Sequence, residues 1–369
     1  YLRVESVAVL IRAFYLIQSS VLTRDLRFKD LSVVSIFAAL CSAIVSIIMA
    51  AMGCGVWSLV AKNVILQLCT CVLCAVKAKR PCKIGFRRES FKELFGYGWF
   101  VALTAFMDLL YSNLVSFIIG KRYSVEDLGY YNQAYSLKQI PVYSLSMIIS
   151  QVLFPFMTKM QDDNERIRYN TQRVMSVTTF IVFPLLIFLC VFAKPVIILI
   201  YSAKWIPSVI YFQILIIGGL VNSLIHICRN VLSSIGETKT LFWTQFIITV
   251  LGITLVLFSM RYDIKFLVFC VACCSFINWI LVGVATGKKI GYSFFRQVKD
   301  VSLSLFFSVI SAAVAYYVLC VLLSMNVVLT LVLALLLYVV IYVILHFLFK
   351  SKAMNYTLNI LFPDKFLLR

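Results

Sequence analysis

Runs of about twenty apolar residues recur along nearly the whole chain, and they decide what it can become. Eleven fit the length needed to cross the hydrocarbon core of a bilayer as a helix: 6–22, 31–52, 55–76, 96–120, 129–158, 174–193, 208–228, 241–260, 266–286, 301–325 and 327–349. Within lipid every backbone polar group must find its partner internally, so such runs become helices. A soluble domain is about 45–50% apolar and about 25% charged. Here 62% of residues are hydrophobic and 13% charged, which excludes a soluble enzyme, a disordered chain and a disulfide scaffold. The predicted fold class is all-α, a polytopic membrane helix bundle. The segment 129–158 is too long for one plain crossing, and Pro141 and Pro155 predict kinks or a helix that runs past the bilayer.

The net charge of +19 invites a nucleic-acid reading, but the cations sit in the short loops between apolar segments. One alternate set of loops (23–30, 77–95, 159–173, 229–240, 287–300 and the tail 350–369) holds 24 of the 34 Lys and Arg. The other set holds 7, and Arg12, Lys62 and Lys138 lie within spans. The basic set is expected on the cytoplasmic side. That puts the first residue outside and the C-terminus inside, in a multi-pass membrane protein with no nucleic acid among its partners. A chain that starts outside with Tyr1 and no preceding element reads as a fragment lacking an odd number of earlier spans.

Few motifs carry catalytic chemistry. Ten of the twelve Cys lie inside apolar segments as small hydrophobes, with Cys54 and Cys82 in loops. Cys69, Cys71 and Cys74 have no His or carboxylate beside them to complete a metal shell. The run Gly283-Val-Ala-Thr-Gly287-Lys288-Lys289 is one residue short of a P-loop and has Lys where Ser or Thr would bind Mg²⁺, so it reads as a helix end with a basic flank. Asp162 and Asp163 read as a solvated, locally paired cluster rather than a glycosyltransferase metal site. His226 and His346 are isolated in apolar segments. Neither cofactor, metal nor catalytic residue is expected, and the chain is not read as an enzyme.

The informative residues are ionisable groups at membrane depth, which are costly and tend to mark pathways. Asp108 stands 12 residues before Gly120, and Lys138 stands 11 after Asp127. At 1.5 Å per residue each is roughly 16–18 Å from the outer face. Their helices form a hairpin, so the two are expected to meet, either as a structural ion pair or as a coupled pair lining a hydrated cavity. Arg12 and Lys62 lie about 10 Å deep by the same measure. Lys62 has a snorkelling alternative, and Arg229, near the cytoplasmic end of its span, is expected mainly to snorkel. Polar groups such as Asn113, Asn132, Asn222 and Asn278 more often bridge helices than bind ligand. Three cations against one anion within the spans favour an anionic cargo.

Several stretches together resemble a known family. They are LTRDLRFKDLSVVSIFAALCSAIVSIIMAAMGCGVWSLVAKN at 22–63, FKELFGYGWFVALTAFMDLLYSNLVSFIIGKRYSVEDLGYYNQAYSLKQIP at 91–141, VLFPFMTKMQDD at 152–163 and LSSIGETK at 232–239. The sequence is similar to the Wzx-type polysaccharide flippases of the multidrug/oligosaccharidyl-lipid/polysaccharide (MOP) exporter superfamily, and most of all to their WzxC-like branch. The resemblance implies a MATE/MOP-like two-lobe fold of 14 helices, of which 11 would be present. Residues 1–76 would be half of the first lobe and 77–95 a basic cytoplasmic linker. Residues 96–286 would be the six-helix second lobe, 287–349 would hold two extra helices, and 350–369 would be a cytoplasmic tail.

The implied activity is transfer of undecaprenyl-diphosphate-linked oligosaccharide to the outer leaflet of a bacterial cytoplasmic membrane by alternating access between the lobes, for O-antigen, capsule or exopolysaccharide synthesis. The implied partners are that lipid-linked oligosaccharide, membrane lipids, and a polysaccharide polymerase with its chain-length machinery. On this reading Arg12, Lys62, Lys138, Asn132 and Arg229 are the substrate-binding candidates, while Asp108 and Lys138 serve ion coupling or a structural pair. A cation-coupled drug exporter of the same superfamily would instead carry an acidic lumen. A membrane polymerase or ligase would carry a large outer loop, whereas 194–207 has only Lys194 and Lys204 as cations.

Overall fold

The computed structural model describes residues 2–78, 87–158, 163–318 and 327–361. The middle of the basic linker, Asp162, Cys82, Cys320 and the end of the tail lie outside the described residues. The described elements are helical: α1 (Leu2–Arg24), α2 (Phe28–Ala51), α3 (Trp57–Ala78), α4 (Arg88–Arg122), α5 (Val125–Thr158), α6 (Asn164–Val191) and α7 (Ala193–Tyr201). After a 3₁₀ turn at Ala203–Trp205 come α8 (Ser208–Leu220), α9 (Asn222–Ser234), α10 (Thr238–Ser259), α11 (Ile264–Ile290), α12 (Phe294–Tyr316), α13 (Val327–Leu348) and α14 (Lys352–Leu361). Ten helical stretches among the described residues are long and apolar enough to cross a membrane. The protein is thus an all-α, multi-pass membrane protein. The helix α5, predicted at 129–158, is not one of those ten; it is a single helix of 34 residues. At 1.5 Å per residue that is about 50 Å, well beyond a 30 Å hydrocarbon core.

Two compact units divide the chain, Tyr1–Phe91 and Lys92–Arg369. In the first, α3 packs on both α1 and α2. Leu22, Val34, Cys74 and Ala78 form its small buried core, with Tyr15, Leu31 and Leu73 against it. Asp30, in the first turn of α2, pairs with Arg27 at 2.7 Å and with Lys77 at 3.4 Å, tying the start of α2 to the end of α3. At the opposite end Asn63 Nδ2 donates to Glu5 Oε1 at 3.1 Å, joining α3 to α1.

The second unit is built around α6, α8 and α9, whose inward residues Leu186, Phe212, Ile216, Leu224 and Ile227 are fully covered. Apolar side chains on the outer faces, among them Phe117, Ile217, Leu257 and Phe306, stay exposed, as lipid-facing residues must. Pro184 sits inside α6. A proline there cannot donate to the carbonyl four residues back, that of Phe180. The Tyr342 hydroxyl of α13 donates to that carbonyl at 3.0 Å, and the Tyr338 hydroxyl donates to the Pro184 carbonyl at 2.9 Å. Tyr342 thus supplies the donor that water would supply outside a bilayer, and Tyr338, one turn before it, adds a second bond to the same helix.

The expected loops are shorter than the charge pattern drew them, because helices extend into most of them. The loop 159–173 gives way at Asn164 to α6, whose N-cap Asp163 accepts from the Arg166 N–H at 3.1 Å. Residues 194–207 hold α7 and the 3₁₀ turn, because AKPVIILIY is apolar and carries its proline in the first turn, where helices tolerate it. The tail contains α14, capped by Ser351, whose hydroxyl accepts from the Met354 N–H at 3.3 Å. The P-loop lookalike lies in the last turns of α11, and Gly291 ends that helix in the left-handed conformation at φ +70°. Gly287 is needed there: a Cβ would lie 2.6 Å from the Tyr292 carbonyl oxygen.

A polar cavity in the second unit

A cavity of about 440 Å³ opens within the second unit, lined by α4, α5, α9, α10 and α11. Helical spacing places its wall. From α4 come Asp108, Tyr111, Ser112 and Val115, and from α5 come Tyr131, Tyr135, Lys138 and Val142. Both sets follow the three-to-four-residue period of one helix face. The helical run 208–234 breaks at Val221, between α8 and α9, and α9 then presents Asn222, Ile225, His226 and Arg229 to the cavity. Two glycines precede the break, and the first allows close approach. A Cβ at Gly218 would stand 3.0 Å from the Ala272 Cα of α11, and one at Gly219 would stand 3.6 Å from the Lys138 side-chain stem.

The electrostatic centre is Arg229. Its Nη1 lies 2.9 Å from Asp108 Oδ2, and its Nη2 donates to Gln245 Oε1 of α10. Gln245 Nε2 in turn donates to the Thr249 hydroxyl at 3.1 Å. The expected pairing of Asp108 with Lys138 is therefore corrected: the carboxylate belongs to Arg229. Equal depth on adjoining helices does not bring two side chains into contact, and α9 brings its own cation to Asp108. The expectation that Arg229 chiefly snorkels is corrected with it, since both ends of its guanidinium are held inside the unit.

Lys138 is 6% exposed and takes part in none of the ion pairs found among the described residues. Its ammonium lies over the Tyr135 ring, 4.9 Å from the centroid, a cation–π contact. Tyr135 also accepts from Gln139 Nε2 at 2.8 Å. The cavity wall thus holds two fixed cations and one carboxylate, with the aromatic and amide groups of Tyr111, Tyr131, Tyr135, Gln139 and Asn278 around them.

The other sequence candidates fall elsewhere. Asn132 does not line the cavity; it is exposed and accepts from the Ser116 hydroxyl at 3.5 Å. Arg12 and Lys62 belong to the first unit and are exposed on it. Gln245 and Thr249 were not singled out in the sequence. Their signal is a polar pair four residues apart around an apolar run, QFIIT. His226, read as isolated, lies one turn before Arg229 on the same wall.

Comparison with known proteins places this architecture. The solved lipid II flippase MurJ, in an inward closed conformation, superposes with a TM-score of 0.69 over 95% of this chain and 74% of its own, at 16% identity. The two chains share a fold. The teichuronic acid biosynthesis protein TuaB of Bacillus subtilis is 28% identical over 238 residues, 63% of this chain and 49% of TuaB. The lipopolysaccharide biosynthesis protein WzxC of Escherichia coli is 32% identical over 127 residues, 34% of this chain and 26% of WzxC. The matched regions thus span a quarter to a half of these relatives' lengths. Residues 1–210 match the family described as polysaccharide biosynthesis protein. As that match takes in more than half of the chain, the protein belongs to the polysaccharide biosynthesis protein family.

Proposed function

We propose that this chain is part of a flippase that carries undecaprenyl-diphosphate-linked oligosaccharide from the inner to the outer leaflet of the bacterial cytoplasmic membrane, by alternating access. The observation that carries the reading is the cavity wall on which Arg229 and Lys138 outnumber Asp108. A surplus cation at membrane depth suits the diphosphate of a lipid carrier. The Tyr, Asn and Gln groups around it suit sugar hydroxyls, and the prenyl tail would stay in lipid. An inside-negative potential assists the export of an anion by ~2.3 kcal/mol per charge per 100 mV, so two charges crossing the whole field gain ~4–5 kcal/mol. The same surplus disfavours a cationic drug as cargo. Asp108 is paired with Arg229, which argues against it as a site for a coupling cation.

On this reading Arg229 and Lys138 bind substrate. Arg12 and Lys62 of the first unit would contribute if that unit faces the same path, and Asn132 would not. The cytoplasmic face carries the C-terminus, and a polymerase with its chain-length machinery would take the product on the far side. The test is export of surface glycan by the complete protein in a strain lacking its own copy. Lys138→Met and Arg229→Ala, expressed at the wild-type level, should each reduce export at least tenfold. Normal export by both would remove the cavity from the mechanism.

A further inference from the structure

The Arg229 guanidinium is held in an unusual way. An arginine fork matches a carboxylate or a phosphate with two parallel N–H bonds. Here the fork is divided: Nη1 goes to one oxygen of Asp108, and Nη2 goes to the neutral amide oxygen of Gln245. The two acceptors also differ in their surroundings. The Asp108 side chain is 48% exposed, whereas that of Arg229 is 19% exposed. The carboxylate therefore stands on the open side with the cation behind it. Gln245 is 3% exposed and anchored through Thr249, so Arg229 keeps one fixed acceptor whatever Asp108 does.

We propose that Asp108 is a resident counter-anion, which holds Arg229 between transport events and yields it to the phosphate of the cargo. It is a positioning residue acting through Arg229, and the proposal rests on the flippase reading above. The charge balance motivates it. A diphosphate diester carries two negative charges, and the cavity offers two cations only after Asp108 has let go. Release of Asp108 costs less because its side chain is about half exposed and lines the polar cavity; a fully covered one would be left as an uncompensated buried charge. Lys138 has no anion to displace and would take the first phosphate contact. When cargo leaves, Asp108 returns to Arg229 and competes against rebinding. The side chain thus lowers affinity for the anion and speeds its departure.

The experiment is calorimetric titration of inorganic pyrophosphate into the purified complete protein. Asp108→Asn should tighten binding about fivefold, the scale of a partly exposed ion pair. Arg229→Ala should weaken it, and Asp108→Asn in the Arg229→Ala background should restore nothing. Should Asp108→Asn bind no more tightly than wild type while Lys138→Met or Arg229→Ala weakens binding, the counter-anion idea fails and the flippase reading stands. If neither cation matters to pyrophosphate, both fall together. A second measurement avoids any folding defect in the variant. A water-soluble carbodiimide with a glycine ester should label Asp108 of the wild-type protein faster when pyrophosphate is present. Unchanged or slower labelling would overturn the proposal.

Discussion

Arg229 does two jobs with one planar group, and a lysine cannot copy both. The Lys ammonium is a point charge on a flexible stem. Arg229→Lys should therefore keep the charge yet lose the simultaneous hold on Asp108 and Gln245, and export should fall by about tenfold, the effect of one charge-assisted bond worth ~1.5 kcal/mol. Gly252 of α10 is as constrained by its neighbour. A Cβ there would lie 2.6 Å from the Tyr111 ring, which lines the cavity. Gly252→Ala should cost about 1–3 kcal/mol, read as a lowered unfolding temperature in detergent, and Tyr111→Leu should recover part of it. At this scale the sequence was half legible. Depth and charge marked Asp108, Lys138 and Arg229 as groups of interest, and all three line the cavity. Their pairing was hidden, because Asp108 meets a partner 121 residues away and the rotation of α9 follows from the break at Val221.

Among the helices, α6 and α13 are joined by a defect and its repair. Tyr342→Phe should leave the Phe180 carbonyl without its donor at a cost of about 1–3 kcal/mol. Pro184→Ala restores a backbone N–H to α6, so the double variant should regain most of that loss in the same unfolding assay. A second link lies outside the spans. Glu237, at the N-cap of α10, is bonded by Lys289 from the end of α11 and by the Thr240 hydroxyl at 2.7 Å. The Lys289 ammonium, and then Thr240, hold its carboxyl below the ordinary value of 4.5. A depressed carboxylate stabilises the fold above its unfolded value and loses that contribution as pH falls through the folded one. Glu237→Gln should thus cost about 0.2–1 kcal/mol near neutrality, and the gap from wild type should close as pH drops below 4.5. Apolar length made most helices legible. The helices α7 and α14 were not, since nine- and ten-residue elements are too short to announce themselves as spans and sit in stretches that charge counting treats as loops.

For the whole molecule, the loop charges predict an orientation that reporters can read. A fluorescent protein fused after residue 361 should fold and fluoresce on the cytoplasmic side, and alkaline phosphatase inserted after Tyr123 should be active outside. Reversed signals would invert the topology. Fold class was legible at this scale because bilayer thickness writes itself directly into segment length, and the family was legible in the ordered stretches between residues 22 and 239. Tyr342 adds a constraint on timing. The donor for Phe180 is made 162 residues after the acceptor. At ~5–20 residues per second, that carbonyl waits about 8–30 s of translation for its hydroxyl. A ribosome stalled before α13, or a nascent chain cut short there, would leave α6 in lipid with an unanswered carbonyl, and such a product should be a preferred substrate for membrane quality-control proteases.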